Sequence, residues 1–164
     1  MSVAIIGDVF LDIITSVGSS QELRQSIQGE RDHLTDEIIL MPGGSGLNIA
    51  VHLKELVGRK LEVRLLSAVG RDEQGAAVEK RLQEMGVRSV LLKDLPNAKT
   101  GTCIVLSAED SRSFITNRGV IDQFQISDFT EEVLRAEVLT SSHIHCAGFF
   151  NCTGLGKIDG ETAE

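Results

Sequence analysis

The chain has 164 residues, of which 41% are hydrophobic and 24% charged, a composition typical of a soluble globular protein with room for one domain. Its 24 acidic and 16 basic residues give a net charge of −8, whereas a general nucleic-acid binder or a binder of anionic membranes would carry a basic surplus. We therefore expect neither nucleic acid nor a membrane among its partners.

The cysteines and the start of the chain bear on the cellular compartment. Three cysteines, Cys103, Cys146 and Cys152, cannot all pair within one chain. The apolar run at residues 3–6 has no basic segment before it, so it does not have the form of a secretory signal. No apolar run approaches the length that spans a bilayer. These features predict a reduced intracellular compartment, and we expect a cytoplasmic protein.

Extended segments come first in the chain. The apolar β-branched run 3–6 predicts a buried strand, and residues 9–14 predict a second extended segment. The polar stretch 16–36 is expected to connect elements at the surface. Residues 37–40 predict a strand that stops before Pro42, because proline has no N–H to donate to a neighbouring strand.

Helix and strand patterns then alternate. Apolar residues recur at steps of three and four over 46–56, which predicts a helix with one buried face. The later predicted elements, in chain order, are a strand at 62–70, an amphipathic helix at 71–87, a strand at 88–93, a hairpin at 100–119, a helix at 130–142 and a strand at 143–150. Residues 151–164 are expected to form a disordered tail.

The order of these elements predicts the architecture. Alternating strands and helices indicate an α/β fold with a mainly parallel sheet flanked by helices. The segment 9–14 and the hairpin do not fit this alternation, and together with 38–40 they predict a small separate β-sheet. Such a sheet exposes one face and its edges, so it tends to close over a ligand or to pair with another copy, and we expect a homodimer through it. The strand at 143–150 is expected at an edge of the parallel sheet.

A glycine-rich turn precedes the helix at 46–56, in the stretch MPGGSGLNIAVHL. The stretch lacks the Lys and Ser/Thr of a phosphate-binding P-loop and the third glycine of a dinucleotide fingerprint. What remains is a strand, a glycine turn and a helix start whose free amides face outward, with Asn48 able to donate to and accept from a hydroxyl group. This arrangement suits a neutral polyhydroxyl ligand laid against the backbone. Glycines that only permit a tight turn and close packing are the alternative.

Several motifs resemble those of one enzyme family. GGSGLNIA is similar to the Gly-Gly-x-Gly-x-Asn-x-Ala signature of the ribokinase-like, or PfkB, carbohydrate kinases. In the order of that family, AIIGDVFLDII resembles the first strand, SAVGRDEQGAAVEKRLQEMGV a strand–helix unit, TGTCIVLSAEDSRSFITNRG the lid strands and HIHCAGFF a core strand. The resemblance extends over residues 2–150 and implies the ribokinase-like fold with a small β lid.

The resemblance also implies a substrate and a site. Family members transfer the γ-phosphate of ATP to a hydroxyl of a carbohydrate or related molecule, so a sugar or nucleoside is the expected partner. In that family, the Asp that corresponds to Asp12 typically binds sugar hydroxyls. The predicted substrate-binding site is completed by three residues of the signature, Gly43, Gly44 and Asn48. Phe10 stands where ribokinases often carry a polar sugar contact, which weakens the case for ribose as the substrate.

The family's second half has no counterpart in this sequence. Its catalytic base is an Asp in a Gly-Ala-Gly-Asp motif, which does not occur here, so no catalytic residue is predicted. Residues 1–150 therefore resemble the N-terminal half of such a kinase. ATP and Mg²⁺ are expected for the full-length family enzyme, and neither is expected to bind tightly to this chain. Two interpretations fit the sequence. The chain is either the substrate-binding half of a kinase, inactive alone, or a non-catalytic sugar-binding or dimerisation module.

Other polar residues have ordinary explanations. Histidine and cysteine are common metal ligands, and four of them lie close together in the sequence: His143, His145, Cys146 and Cys152. Alternation along a strand puts the two histidines on one face and Cys146 on the other. We therefore predict a plain strand here and no metal site. Arg112 and Arg118 flank the second strand of the hairpin. Contact with an acidic group and a role in surface solubility both remain open for them. Asp8 is a weaker site candidate than Asp12.

Overall fold

Two four-stranded sheets organise the computed structural model, which describes residues 1–29, 32–96, 98–158 and 161–162. The strands, in chain order, are β1 (Ser2–Gly7), β2 (Phe10–Ser16), β3 (Ile38–Gly43), β4 (Glu62–Ala68), β5 (Arg88–Leu92), β6 (Thr102–Ser107), β7 (Arg112–Asn117), β8 (His143–Ala147), β9 (Lys157–Ile158) and β10 (Glu161–Thr162). The α-helices are α1 (Ser20–Gln28), α2 (Ser45–Val57), α3 (Glu73–Glu84) and α4 (Glu131–Val133), the last continuing as a π-helix over Leu134–Leu139.

The first sheet is parallel throughout, with strand order β5-β4-β1-β8. Its central strands are apolar runs, and Ile5, Leu65 and Leu66 are completely or almost completely buried. Helix α2 packs against β1 and β4 through a buried face that includes Leu47 and Val51. The α/β architecture predicted from the alternation of elements is confirmed.

The second sheet has the order β3-β2-β6-β7. Its central pair, β2 and β6, is parallel, and both outer pairs are antiparallel. The segments 9–14 and 38–40 and the two strands of the hairpin thus form a sheet of their own, as predicted. We call this second sheet the lid sheet.

Strand β8 lies at an edge of the parallel sheet, as expected, and pairs only with β1 among the described strands. His143, Ile144 and Cys146 of this strand are all exposed. Within the described residues no group of three His, Cys, Asp or Glu side chains is placed to hold a metal ion.

The polar stretch 16–36 contains a helix that the sequence analysis missed, while residues 30–31 of that stretch lie outside the described part. Helix α1 begins with reciprocal hydrogen bonds: the amide of Glu22 donates to Ser19 Oγ over 3.2 Å, and Glu22 Oε2 accepts from the amide of Ser19 over 2.9 Å. This is a capping box, and the Ser-Ser-Gln-Glu order of residues 19–22 was its signal.

Pro42 does not stop β3, contrary to the prediction. The strand continues to Gly43, and Pro42 pairs in register with Leu11 of β2. An edge strand tolerates proline because the side of its backbone away from the sheet needs no donor. The sequence could not show that this strand would be an edge.

The predicted tail is packed in its first part. Cys152 is fully buried in the hydrophobic core, and Thr153–Gly156 forms a 3₁₀ turn with Gly154 buried. Strands β9 and β10 pair antiparallel, while residues 159–160 and 163–164 of the predicted tail lie outside the described part. The packed region therefore extends past the predicted boundary at residue 150. Among the described helices, none has the length and apolar character needed to cross a membrane.

Candidate functional site

A cleft of about 370 Å³ lies between the lid sheet and the first turn of α2. Its polar lining consists of Asp8, Asp12, Ser45, Asn48, Thr116 and Asn151. Its apolar lining includes Phe10, Val105 and Phe114. Three of the four predicted site residues, Asp12, Gly44 and Asn48, line this cleft together.

The lid sheet presents a row of side chains to the cleft. Asp12 of β2 pairs in register with Cys103 of β6, which pairs with Thr116 of β7. Residues directly opposite one another on neighbouring strands share a face of the sheet, so these three side chains lie side by side. The Cys103 Sγ and Thr116 Oγ1 atoms are 3.2 Å apart.

Gly44 and Gly46 allow the chain to approach itself. Gly44 has φ of 97°, and a Cβ there would lie 2.9 Å from both Asp8 O and Val9 Cα. A Cβ at Gly46 would lie 2.7 Å from Asp8 O. Close packing between the turn after β1 and the start of α2 thus accounts for both glycines.

Two amides in the first turn of α2, those of Gly46 and Leu47, are not free, contrary to the expectation. The Gly46 amide donates to Asp8 Oδ1 over 2.9 Å and to Asp8 O over 3.1 Å, and the Leu47 amide donates to Asp8 O over 3.3 Å. Asp8 therefore satisfies donors that a helix start leaves open. These two amides are therefore not open donors for a ligand in this cleft.

Gly43 is absent from the cleft lining, and its effect on the site is to leave room for the side chain of Asp12. It is buried at the end of β3, and a Cβ there would lie 2.0 Å from Asp12 Oδ2. The missing side chain leaves the space that the Asp12 carboxylate occupies.

Asp12 is a partly buried carboxylate, and no hydrogen bond or salt bridge reaches it from the described part of the chain. Burial raises the pKa of Asp12 above its ordinary value of 3.8, and the nearby charge of Asp8 raises it further. A carboxylate without a protein partner at the wall of a cleft is suited to accept hydrogen bonds from a ligand.

Asp8 and Asn151 are joined by a hydrogen bond at the cleft, a contact that the sequence analysis missed. Asp8 is 1% exposed, and its Oδ2 accepts a hydrogen bond of 2.8 Å from Asn151 Nδ2. Asp8 directly follows β1, and Asn151 is the last residue of the 3₁₀ turn Phe149–Asn151 that comes after β8. Ligands in open α/β sheets bind beyond the carboxyl ends of the strands, and this rule was the signal for both residues.

The two arginines flagged from the sequence lie outside this cleft. Arg118 lines an adjoining cleft of about 750 Å³ that shares Thr116 and Asn151 with the first. Its Nη1 is 3.3 Å from Asp122 Oδ1, so its charge is already paired. Arg112 is exposed at the start of β7.

Comparisons with known proteins agree on one family. The family model described as pfkB family carbohydrate kinase matches residues 2–163. The chain is 27% identical over 157 residues to the adenosine kinase of Dictyostelium discoideum, with 88% of this chain covered, and 24% identical over 121 residues to the ribokinase of Bacillus subtilis, with 74% covered. Adenosine kinase from Schistosoma mansoni in complex with 2-fluoroadenosine has the same fold, with a TM-score of 0.72 at 18% identity over 92% of this chain.

These matches cover less than half of the other proteins. The aligned region is 46% of the Dictyostelium adenosine kinase and 38% of the Bacillus ribokinase. It is 48% of the Schistosoma chain. The chain thus spans under half the length of the curated relatives that it matches.

Proposed function

The chain belongs to the pfkB family of carbohydrate kinases, and from this premise we propose that it forms the acceptor-binding part of a kinase. The reaction is transfer of the ATP γ-phosphate to a hydroxyl of a sugar or nucleoside. Its relatives include an adenosine kinase and a ribokinase, which supports both acceptor classes.

The observation that carries this proposal is the carboxylate of Asp12, which has no hydrogen bond or salt bridge from the described residues and lies in the cleft that Asn48 also lines. Asp12 accepts hydrogen bonds from acceptor hydroxyls, and Asn48 donates to or accepts from a neighbouring hydroxyl. Gly44 keeps the α2 start close to this wall, and Gly43 leaves room for the Asp12 side chain.

We infer that ATP and Mg²⁺ do not bind tightly to this chain. The described residues contain no metal-binding cluster, the cleft has two carboxylates and no cationic side chain among its described lining, and the sequence has no Gly-Ala-Gly-Asp motif. Phosphoryl transfer depends on neutralising and positioning the phosphate. We infer that these 164 residues alone do not carry out that step.

The outer face of the lid sheet supports homodimerisation. Leu40, Ile13, Ile104 and Ile115 form one row across all four strands, because each pairs in register with the next. Leu40 is 62%, Ile104 36% and Ile115 60% exposed. An exposed aliphatic row of this kind gains stability when a second copy covers it.

The same row favours a second candidate function, a non-catalytic sugar-binding or dimerisation module. Both candidate functions keep the Asp12 site, and they differ in whether kinase activity appears when the groups for phosphoryl transfer are supplied.

The proposed compartment is the reduced cytoplasm, since all three cysteines are free thiols.

The experiment is a calorimetric titration of the chain with adenosine and with a panel of neutral sugars that includes D-ribose. We expect binding to at least one, and at least about tenfold weaker binding by Asp12→Asn, because an amide cannot replace charge-assisted bonds to hydroxyls. Asp36→Asn, the same change at an exposed position outside the cleft, is the matched control and should bind normally. Equal affinity of Asp12→Asn and the original chain would remove Asp12 from the site.

A further inference from the structure

Asn151 lines the cleft together with Asp8, its hydrogen-bond partner. We propose that Asn151 is a further ligand-binding residue, held by the buried Asp8 so that its amide oxygen Oδ1 faces the cleft and accepts a hydrogen bond from a ligand hydroxyl. This inference rests on the proposed function, because it adds a contact to the same site.

The chemistry of Asp8 fixes the orientation of the Asn151 amide. An ionised carboxylate only accepts hydrogen bonds. Asp8 Oδ1 accepts from the Gly46 amide over 2.9 Å, and Asp8 Oδ2 accepts from Asn151 over 2.8 Å. The Asn151 group that faces Asp8 must therefore be the NH₂ group. The oxygen of the same amide points the other way and has no hydrogen bond from the described residues.

The turn that carries Asn151 is built around Asp8. Gly148 has φ of 62°, and a Cβ there would lie 2.3 Å from Asp8 Oδ1, so only glycine leaves room for the carboxylate. The backbone N–H of Asn151 donates to Gly148 O over 2.8 Å, which closes the turn. Cys152, the next residue, is fully buried in the core. Three features thus fix the position of Asn151: its backbone hydrogen bond to Gly148, its side-chain hydrogen bond to Asp8 and the burial of Cys152 next to it.

Two acceptors in one cleft define the class of ligand. Asp12 and the Asn151 oxygen both require a donor, and none of the described residues that line the cleft is a Lys or Arg. Arg118, in the adjoining cleft, is paired with Asp122. The cleft therefore selects neutral molecules with several hydroxyl groups, and it repels sugars that already carry a phosphate.

A reciprocal exchange of the two side chains tests the orientation. In Asp8→Asn, the new oxygen still accepts from Gly46, while its NH₂ group forces the Asn151 amide to turn and present a donor to the cleft. In the double variant Asp8→Asn, Asn151→Asp, the hydrogen bond between the two side chains persists and an acceptor oxygen faces the cleft again. The hydrogen bond between the two side chains survives in both variants, so a purely structural role of this bond would leave the variants alike. A difference in their ligand affinity therefore indicates that Asn151 contacts the ligand.

The variants are titrated with whichever of adenosine and D-ribose the original chain binds more tightly. We expect about fivefold to tenfold weaker binding by Asp8→Asn, recovery to within about twofold in the double variant, and about tenfold weaker binding by Asn151→Ala, where water replaces the amide. Thermal melts establish that each variant is folded. Ribose 5-phosphate should bind at least about tenfold more weakly than ribose.

Normal affinity of Asp8→Asn or of Asn151→Ala would overturn the inference, as would a double variant that binds no better than Asp8→Asn. Tighter binding of ribose 5-phosphate than of ribose would overturn the assignment of a neutral ligand. In each of these cases a weakened Asp12→Asn variant leaves the proposed function standing. A chain that binds neither adenosine nor any neutral sugar overturns both.

Discussion

Asp12 is partly buried, and its contribution to stability should depend on pH. Its pKa is raised in the folded state by burial and by Asp8, so the folded chain holds the Asp12 proton more tightly than the unfolded chain does. The stability that this residue contributes is therefore present below its ordinary pKa of 3.8 and is lost as the pH rises through the raised value.

It follows that Asp12→Asn should raise the melting temperature of the ligand-free chain at pH 7 while it weakens ligand binding. The gain should shrink as the pH falls toward 4, where the original carboxyl group is increasingly protonated. Thermal melts of both proteins from pH 4 to 8 measure this. A lower melting temperature for the variant at pH 7 contradicts the assignment of Asp12 as an unpaired carboxylate.

Two adjacent glycines should respond differently to the same substitution. A methyl group at Gly43 meets the end of the Asp12 side chain, which can move aside, so Gly43→Ala should weaken ligand affinity about tenfold and change stability little. At Gly44 the obstacle is backbone and φ is 97°, so Gly44→Ala should lower the free energy of unfolding by about 1–3 kcal/mol. Urea unfolding and calorimetry separate the two effects, and equal losses of stability at both positions would show that this distinction is wrong.

At the scale of elements, the start of α3 is held by Asp72 and Thr100. Asp72 Oδ1 accepts from the Gly75 amide and Oδ2 from the Thr100 amide, both over 2.8 Å, and Thr100 Oγ1 accepts from the Gly70 amide over 2.9 Å. Burial alone would raise the pKa of Asp72, but the bonds from Thr100 and Gly75 outweigh it and lower the pKa. This contact joins α3 to the segment that leads into the lid sheet.

Asp72→Ala should therefore lower the free energy of unfolding by about 1–2 kcal/mol at pH 7, through loss of the helix cap. Because the folded-state pKa of Asp72 is lowered, its contribution is present above the ordinary pKa of 3.8 and is lost as the pH falls through the lowered value. Glu73→Ala, in the same first turn but outside this network, is the control. Comparable losses for both variants in urea unfolding would argue against the cap.

For the whole molecule, the proposed dimer depends on the outer face of the lid sheet. Ile115→Lys places a charge in the exposed aliphatic row and should convert a dimer to a monomer. Ile39→Lys is the matched control, because Ile39 is 42% exposed and pairs with Ile14, on the opposite face of the sheet. Sedimentation velocity gives the masses. A monomeric original chain, or a dimer that survives Ile115→Lys, contradicts the proposal.

The 164-residue chain by itself should show no sugar-dependent ATP turnover. The proposed acceptor site lies in a cleft whose described lining contains no Lys or Arg that could hold the γ-phosphate. ADP release with Mg²⁺-ATP and a panel of sugars and nucleosides is the assay, with Asp12→Asn as the background control. Turnover at ordinary kinase rates that Asp12→Asn abolishes would show that the phosphate-transfer groups are within this chain.

The sequence by itself determined the α/β architecture, the separate lid sheet and the edge position of β8. These features follow from local apolar patterns and from the order of elements, which are properties of short segments. The family followed from motifs in a fixed order. The same local signals were misjudged at Pro42, because only the arrangement of strands decides which of them is an edge.

Only the tertiary structure decided what surrounds each predicted site residue. The glycine turn suggested room for a ligand, and the folded chain shows that Gly44 also permits a close approach to the backbone of Asp8 and Val9. Asp8 and Asn151 are separated by most of the sequence, and their hydrogen bond exists because β1 and β8 are neighbours in the parallel sheet. Contacts between distant segments depend on the packing of the whole chain, which no local pattern encodes.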